Sequence, residues 1–372
     1  MSKQIRVLEA IRQGQVGGGE THVYDLSTRL DQSKFEPVVL SFTDGEMVDN
    51  LKAAGIETHV IHTTTPFDPR VVKQVKSLMK ELEIDLVHAH GTRAASNTLR
   101  AARKLKLPLI YTVHGWSFND SLSPIKHLLR RKTEEYITRR TTLNICVSHS
   151  NKEAGKEFLR GFDSEVIYNG ISLDRFQHDI DCADIKREIS KEEGQVWVGF
   201  LARMTMQKDP LTMVEAFALA QNENQALRML MVGNGELDDE VQNRIDTLGL
   251  QDRIVRLPFR RDVPNLLATL DIYCLPSLWE GLPIGVIEAM AMKKPVIASK
   301  VDGTVELIGE GEGVLIPVRD PVSLSKAVLQ LANNESLRRS MGESSFLKIQ
   351  QHFLIESMVS KIEKHYSALL GL

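Results

Sequence analysis

Short apolar runs alternate along the chain with longer stretches in which apolar positions recur every three or four residues. The runs at 5–11 (IRVLEAI), 36–42, 57–61, 85–90 (DLVHAH), 108–113 (PLIYTV), 142–147 and 165–168 predict strands. The stretches 19–31, 69–82, 93–105, 124–140 and 150–159 predict the helices between them. Runs so rich in Val, Ile and Leu, with little polar alternation, are those of strands covered on both faces. Strand and helix in alternation predict a parallel sheet with right-handed crossovers.

The alternation then restarts. Strands are predicted near 196–202, 227–232, 253–257, 271–275, 295–298 and 313–316, with helices near 210–220, 236–248, 263–269, 283–292, 303–308 and 321–332. The polar stretch 172–194 separates the two sets as a linker plus a helix. The α/β pattern therefore predicts two doubly wound, Rossmann-like domains with a cleft between them.

Composition narrows this picture. The 372 residues are 42% hydrophobic and 26% charged, which excludes wholesale disorder. Lysine and arginine number 46 against 49 acidic residues, a net charge of −3, so no general nucleic-acid binder is indicated. No apolar run approaches the roughly 18 residues of a membrane span. The opening segment is too charged for a secretory signal, and Cys146, Cys182 and Cys274 are far apart. A disulfide framework or zinc knuckle is not expected, and the chain reads as cytoplasmic.

The first chemical signal is GQVGGGETHVYDL, directly after the first strand. Gly14, Gly17, Gly18 and Gly19 permit a tight turn and close approach to a ligand, and the following helix offers free amides to an anion. A dinucleotide fingerprint fails because His22 stands where its last glycine would be. Walker A fails because Glu20 stands in the lysine position, where a carboxylate would repel phosphates.

The densest signal is PSLWEGLPIGVIEAMAMKKPVIAS at 276–299. A strand ends, a loop follows, and a helix opens near Pro283, at the end of the sheet where ligands bind. Glu280 lies in the loop, and Glu288 lies five residues after Pro283, about 7.5 Å along the helix axis. Between them are the amides of a helix N-terminus. A carboxylate, an anion seat and a second carboxylate match a ligand with hydroxyls at both ends and charge in the middle, such as a nucleotide diphosphate sugar. Upstream, Arg203 and Lys208 lie in the corresponding loop after strand 196–202 and could neutralise a diphosphate.

Taken with DLVHAHG at 85–91, YTVHGWSF at 111–118 and VIYNGISLDRF at 166–176, these landmarks resemble the family 4 (group 1) glycosyltransferases of the GT-B fold, and HGWSF resembles bacterial polysaccharide transferases among them. The resemblance covers nearly the whole chain. It implies an N-terminal acceptor domain over 1–172, a C-terminal donor domain over 173–354, and a last helix at 355–372 that rejoins the first domain. Apolar spacing at Ile355, Met358, Ile362 and Tyr366 agrees with the last point.

The resemblance also implies residue roles. Arg203 and Lys208 hold the donor diphosphate, Glu288 the ribose, and Glu280 with the backbone of Gly281, Leu282, Pro283 and Ile284 the transferred sugar. Gly18, Gly19 and Glu20 face the donor. Pro258, Phe259 and Arg260 lie near the base, and His114 beside the reacting sugar. It further implies a UDP or GDP sugar donor, transfer with retention, no cofactor and no metal. The chain departs from the family's pattern at Ala202, where glycine is usual, and in VDGTVE at 301–306, where a double glycine is common. Both departures bear on sugar selectivity.

His88 and His90 share one strand face and with His114 could imitate a zinc site. That reading is set aside because no carboxylate or cysteine joins them in register, so they are expected to line the cleft, His88 structurally. Segment 124–140 holds six Lys/Arg against two Glu, with Ile125, Leu128, Leu129 and Ile137 as an apolar stripe. It is a core-packed helix or one meeting anionic lipid, as a lipid-linked acceptor would require. The expected activity is hexosyl transfer to a glycan or lipid-linked glycan. The alternatives are an epimerase or phosphorylase of the same architecture, and a sugar-nucleotide binder without turnover.

Overall fold

The computed structural model describes residues 4–15, 17–118, 123–177 and 180–372. It divides into two units, Met1–Gly170 with Ile355–Leu372, and Ile171–Leu354.

The first unit runs β1 (Ile5–Ile11), α1 (Gly18–Arg29), β2 (Phe35–Ser41), α2 (Glu46–Ala53), β3 (Glu57–Val60), α3 (Val72–Glu81), β4 (Leu86–His90), α4 (Thr92–Leu105), β5 (Leu109–Val113), α5 (Pro124–Thr138), β6 (Leu143–Cys146), α6 (His149–Phe158) and β7 (Glu165–Val166). Its sheet is ordered β3-β2-β1-β4-β5-β6-β7, and every pairing is parallel. Neighbours along a strand serve opposite faces. Leu8 and Ala10 pack with Leu40, Val75 and Tyr111, while Val7 packs with Leu26, Phe35 and Ile110.

The second unit runs α7 (Ala183–Glu188), β8 (Val196–Leu201), α8 (Pro210–Glu223), β9 (Leu227–Val232), α9 (Asp238–Thr247), β10 (Ile254–Leu257), α10 (Val263–Thr269), β11 (Ile272–Leu275), α11 (Ile284–Ala291), β12 (Val296–Ser299), α12 (Thr304–Leu307), β13 (Gly313–Ile316), α13 (Pro321–Ala332) and α14 (Glu335–His352). Its parallel sheet is ordered β10-β9-β8-β11-β12-β13. Of the linker stretch 172–194, residues 178–179 lie outside the described residues; α7 is its helix.

The final helix, α15 (Ile355–Leu370), belongs to the first unit. Ile355, Met358, Val359, Ile362 and Tyr366 complete the core on the Val7 face. Two helices, α2 and α14, are absent from the sequence reading. The first is only eight residues long, and the second has no clear apolar stripe, so neither carries a strong periodic signal.

Candidate active site

The strand order of the second unit reverses between β8 and β11, and ligands bind at such a switch point beyond the carboxyl ends of the strands. The loops after β8, β11 and β12 bring together Arg203, Lys208, Glu280 and the start of α11. The loop after β8 is tied to the loop after β11: Leu278 N–H donates to the Gln207 carbonyl at 2.8 Å, and Gln207 Nε2 donates to the Trp279 carbonyl at 2.9 Å. Within this frame Lys208 Nζ forms an ion pair with Glu280, both side chains being largely buried. Sequence spacing placed these two residues in one layer; their direct pairing is a finding of the structure.

Arg203 is exposed, and its side chain makes no ion pair or hydrogen bond with any described residue. Its loop is braced from β9 by glycines that the sequence reading passed over. Gly233 lies at φ +133°, and a Cβ there would fall 2.2 Å from the Ala202 carbonyl oxygen; a Cβ on Gly235 would fall 2.1 Å from that of Met204. Met204 N–H donates to the Asn234 carbonyl at 3.1 Å and Leu237 N–H to the Met204 carbonyl at 2.9 Å. Paired glycines directly after a strand were the available signal.

Helix α11 starts at Pro283 without a side-chain cap, and the amides of Ile284 and Gly285 donate to no described residue. This leaves a helix N-terminus beside the Lys208–Glu280 pair, an arrangement suited to anionic oxygen. Glu288 lies half-buried farther along α11. The Tyr273 hydroxyl is lifted well above the ordinary phenol range, first by burial, then by the charges of Glu288 and Glu280. The charges of both carboxylates are thus felt at one buried hydroxyl, which itself donates to the Leu201 carbonyl at 3.4 Å. The VDGTVE departure supplies the remaining support. Asp302 accepts the Glu280 N–H at 3.0 Å, and a Cβ on Gly303 would fall 2.0 Å from the Gly281 carbonyl oxygen.

The stretch expected near the base is divided in character. Pro258 precedes Phe259, whose ring is 47% exposed and free to meet a planar ligand. Arg260 instead pairs with Glu188 at 2.9 Å and Asp262 at 2.6 Å, and these bonds hold its guanidinium more firmly protonated. Two carboxylates of its own unit thus already share the Arg260 guanidinium, and a ligand there would have to compete with them.

In the first unit the glycine turn separates into two parts. Gly14 is packed against the Thr43–Gly45 loop, its N–H donating to Thr43 Oγ1 at 3.0 Å and its carbonyl accepting from Met47 at 2.8 Å. Gly18 and Gly19 open α1, where Glu20 is buried and lies 3.7 Å from the Arg12 guanidinium. A Cβ on Gly19 would approach the His114 ring to 3.6 Å.

Behind His114 lies a buried polar network. Glu9 pairs in register with His88 across β1 and β4, so a carboxylate does join the histidines. This corrects the ground on which the zinc reading was set aside. The facing groups His22, His90 and His114, and likewise Glu9, His88 and His90, lie within 4.8 Å of one another, a spacing compatible with an ion. Most of their nitrogens are nevertheless committed to hydrogen bonds: His22 Nδ1 lies 3.0 Å from the Asn169 side-chain oxygen, although His22 Nε2 is buried with no partner among the described residues. His88 uses both, with Tyr366 at 2.6 Å and Thr112 at 2.7 Å, and His90 uses both, with Glu9 at 2.8 Å and His114 at 3.2 Å. The clusters are read as a hydrogen-bonded network. Burial depresses His22 and His90 to about 3 and pushes Glu9 up to about 8, so the network is largely uncharged at neutral pH. The chain also contains one Asp-x-Asp spacing, Asp179 and Asp181; Asp179 lies outside the described residues, and Asp181 accepts the Ala183 N–H at the start of α7.

On α5 the predicted stripe is divided. Ile137 is buried in the core, whereas Ile125, Leu128 and Leu129 are 82%, 53% and 66% exposed. Among the described residues, no helix is long and apolar enough to cross a membrane.

Comparison with known proteins bears on the family and the fold. Residues 16–175 match the family described as Glycosyltransferase Family 4, and residues 182–347 match Glycosyl transferases group 1. The chain is 29% identical over 326 residues to the UDP-Gal:alpha-D-GlcNAc-diphosphoundecaprenol alpha-1,3-galactosyltransferase of Escherichia coli, covering 86% of this chain and 84% of that protein. It is 26% identical over 312 residues to the N-acetyl-alpha-D-glucosaminyl L-malate synthase of Bacillus anthracis, covering 82% and 80%. The structure of Anabaena HepE in complex with UDP and glucose superposes with a TM-score of 0.86 at 22% identity, over 98% of this chain and all of that one.

Proposed function

The chain belongs to the family 4, group 1 glycosyltransferases of the GT-B fold, and from that premise we propose that it transfers a hexose, with retention, from a UDP-sugar to a glycan or lipid-linked glycan. Relatives such as the E. coli galactosyltransferase support glycosyl transfer in polysaccharide or glycolipid biosynthesis, and the donor, the stereochemistry and the residue roles are part of the proposal. Of the two bases expected from sequence, UDP is preferred over GDP because UDP is the nucleotide named for the E. coli relative and for HepE.

The observation that carries the proposal is the uncommitted Arg203 beside the Lys208–Glu280 pair and the open N-terminus of α11, all at one switch point. Arg203 and Lys208 take the diphosphate, and the free amides share its charge. Glu280, with the Gly281–Ile284 backbone, accepts hydrogen bonds from sugar hydroxyls. Glu288 accepts them from the ribose, and the exposed Phe259 ring stacks on the base. As the glycosidic C–O bond breaks, negative charge gathers on the departing phosphate while positive charge develops on the sugar ring. Cations and helix amides already aimed at the phosphate stabilise that state without reorganisation, and no metal is required for it. For the first unit the proposal keeps the roles the resemblance implies, with Gly18, Gly19 and His114 assigned to the donor sugar and the unit itself to the acceptor.

A lipid-linked acceptor is supported by α5. Its exposed Ile125, Leu128 and Leu129 stand among exposed Lys126, Arg130 and Lys132, the mixture that lies in an anionic interface. A groove of about 570 Å³ nearby, lined by Phe67, Leu99, Arg100, Arg103 and Tyr136, joins aromatic and cationic groups suited to a lipid phosphate. The protein would then act at the cytoplasmic face of a membrane.

Incubation with UDP-glucose, UDP-galactose or GDP-mannose and a polyprenyl diphosphate glycan acceptor tests the proposal. An α-linked product from a UDP-α-hexose, formed equally with EDTA present, is the expected result. An isomerised donor would favour an epimerase, and donor binding without turnover a sugar-nucleotide binder. A β-linked product would overturn retention.

A further inference from the structure

The polar network of the first unit forms a continuous line of hydrogen bonds. Thr112 Oγ1 lies 2.7 Å from His88 Nε2, and His88 Nδ1 lies 2.6 Å from the Tyr366 hydroxyl. That hydroxyl lies 2.6 Å from Glu9 Oε1, Glu9 Oε2 lies 2.8 Å from His90 Nε2, and His90 Nδ1 lies 3.2 Å from His114 Nε2. Every member except His114 is buried. His114 Nδ1, at the open end, has no partner among the described residues.

The direction of the protons follows from the closed end. The side chain of Thr112 has no partner among the described residues other than His88, so its hydroxyl donates to His88 Nε2; the reverse would bury an O–H with no acceptor. His88 is then protonated on Nδ1 and donates to the Tyr366 oxygen, and Tyr366 donates to Glu9 Oε1. A proton on Glu9 Oε2 goes to His90 Nε2, leaving His90 Nδ1–H to donate to His114 Nε2. His114 must then carry its own proton on Nδ1.

We propose that Glu9 is a positioning residue which, as the neutral acid, acts through His90 to hold His114 in its Nδ1–H form, so that the open edge of His114 presents a hydrogen-bond donor to a substrate oxygen. Removal of the Glu9 proton to solvent reverses half of the line. His90 Nε2–H donates to the carboxylate, His114 Nε2–H donates to His90 Nδ1, and the open edge of His114 becomes an acceptor. Burial of Glu9 pushes it up to about 8, which places this reversal just above neutral pH. The groups facing Glu9 are His88 and His90 from β4 and Tyr366 from α15, with Glu363 acting on Tyr366. Those facing His114 are His90, His22 from α1 and Arg12. Burial and these neighbours keep the histidines neutral, so Glu9 is the member that changes charge.

The consequence for catalysis rests on the proposed role of His114, but the tautomer does not. The test is long-range ¹H–¹⁵N NMR of the full chain labelled with [¹⁵N]histidine, with the His114 signal identified by its loss in His114→Asn. In the parent at pH 6.5, Nδ1 should be the protonated nitrogen, with crossover to Nε2 as the pH passes about 8. In Glu9→Gln the amide N–H₂ donates to His90 and the amide oxygen accepts from Tyr366, so His114 should stay Nδ1–H to pH 9.5. Parent kcat should fall to about one tenth between pH 7 and pH 9, and the Gln variant should lose that alkaline limb. A parent His114 with one tautomer at pH 6.5 and pH 9.5 would overturn the proposal without any variant. If the tautomer crosses over while kcat stays level in the parent, the relay is upheld and the assignment of His114 to the reacting sugar falls.

Discussion

Lys208→Met removes a charge but keeps most of the apolar stem, and leaves Glu280 as a carboxylate only 6% exposed with its ammonium partner gone. Breaking a buried pair from one side typically costs about 3–5 kcal/mol. Proton uptake sets a ceiling on that loss. Protonating an ordinary glutamate at pH 7 costs about 4 kcal/mol, whereas at pH 5 it costs about 1 kcal/mol. The destabilisation should therefore be about 3–4 kcal/mol at pH 7 and about 1 kcal/mol at pH 5. For a unit of this size, the former corresponds to a fall in Tm of roughly 6–16 °C. Differential scanning calorimetry of the parent, Lys208→Met, Glu280→Gln and the double variant checks this. The double variant should recover most of the loss, because no uncompensated charge is left buried. Titration calorimetry with UDP should show a roughly 10- to 100-fold weaker Kd for Lys208→Met, since a charge-assisted bond of about 1.5–3 kcal/mol to the diphosphate is gone. A Tm deficit equal at pH 5 and pH 7, or unrelieved by Glu280→Gln, would refute the reasoning about the pair. Unchanged UDP affinity would remove Lys208 from the donor site.

Further outcomes follow from the same contacts. Glu288→Gln should weaken UDP-sugar binding by roughly 10- to 100-fold with a smaller change in kcat, and Glu280→Gln should lower kcat more than it raises donor KM, both read by steady-state kinetics. Arg203→Ala should impair kcat and KM together while leaving Tm within about 1 °C, because its side chain has no bond to lose within the protein. Tyr366→Phe keeps the ring but strips Glu9 Oε1 and His88 Nδ1 of a partner, and should cost about 2–4 kcal/mol in urea unfolding. His22 is depressed to about 3 in the folded state, so its contribution is present above the unfolded value near 6.5 and is lost as pH falls toward 3. Between pH 6.5 and pH 5 this amounts to about 2 kcal/mol, and His22→Gln should flatten that part of the stability profile by the same amount.

What the sequence by itself determined is local in origin. Buried parallel strands need apolar residues on both faces, and the helices between them need apolar residues every third or fourth position, so the strand–helix order can be read along most of the chain. The E-x7-E spacing of Glu280 and Glu288 across the start of α11 is of the same kind, since a loop, a proline and a helix turn set it within a few residues. Helix α2 escaped because it is only eight residues long, and α14 because it has no clear apolar stripe of its own. The tertiary structure alone decided which charges met. Glu9 faces His88 because β1 and β4 pair in a particular register, and a shift of one residue would have sent it to the opposite face. Tyr366 reaches Glu9 across 357 positions of sequence, Lys208 reaches Glu280 across 72, and Arg260 is claimed by Glu188 from 72 positions away. No window of sequence contains such pairs. Their energy is repaid only once the sheets have closed and water has left, so the register and the packing, not the local spacing, chose the partners.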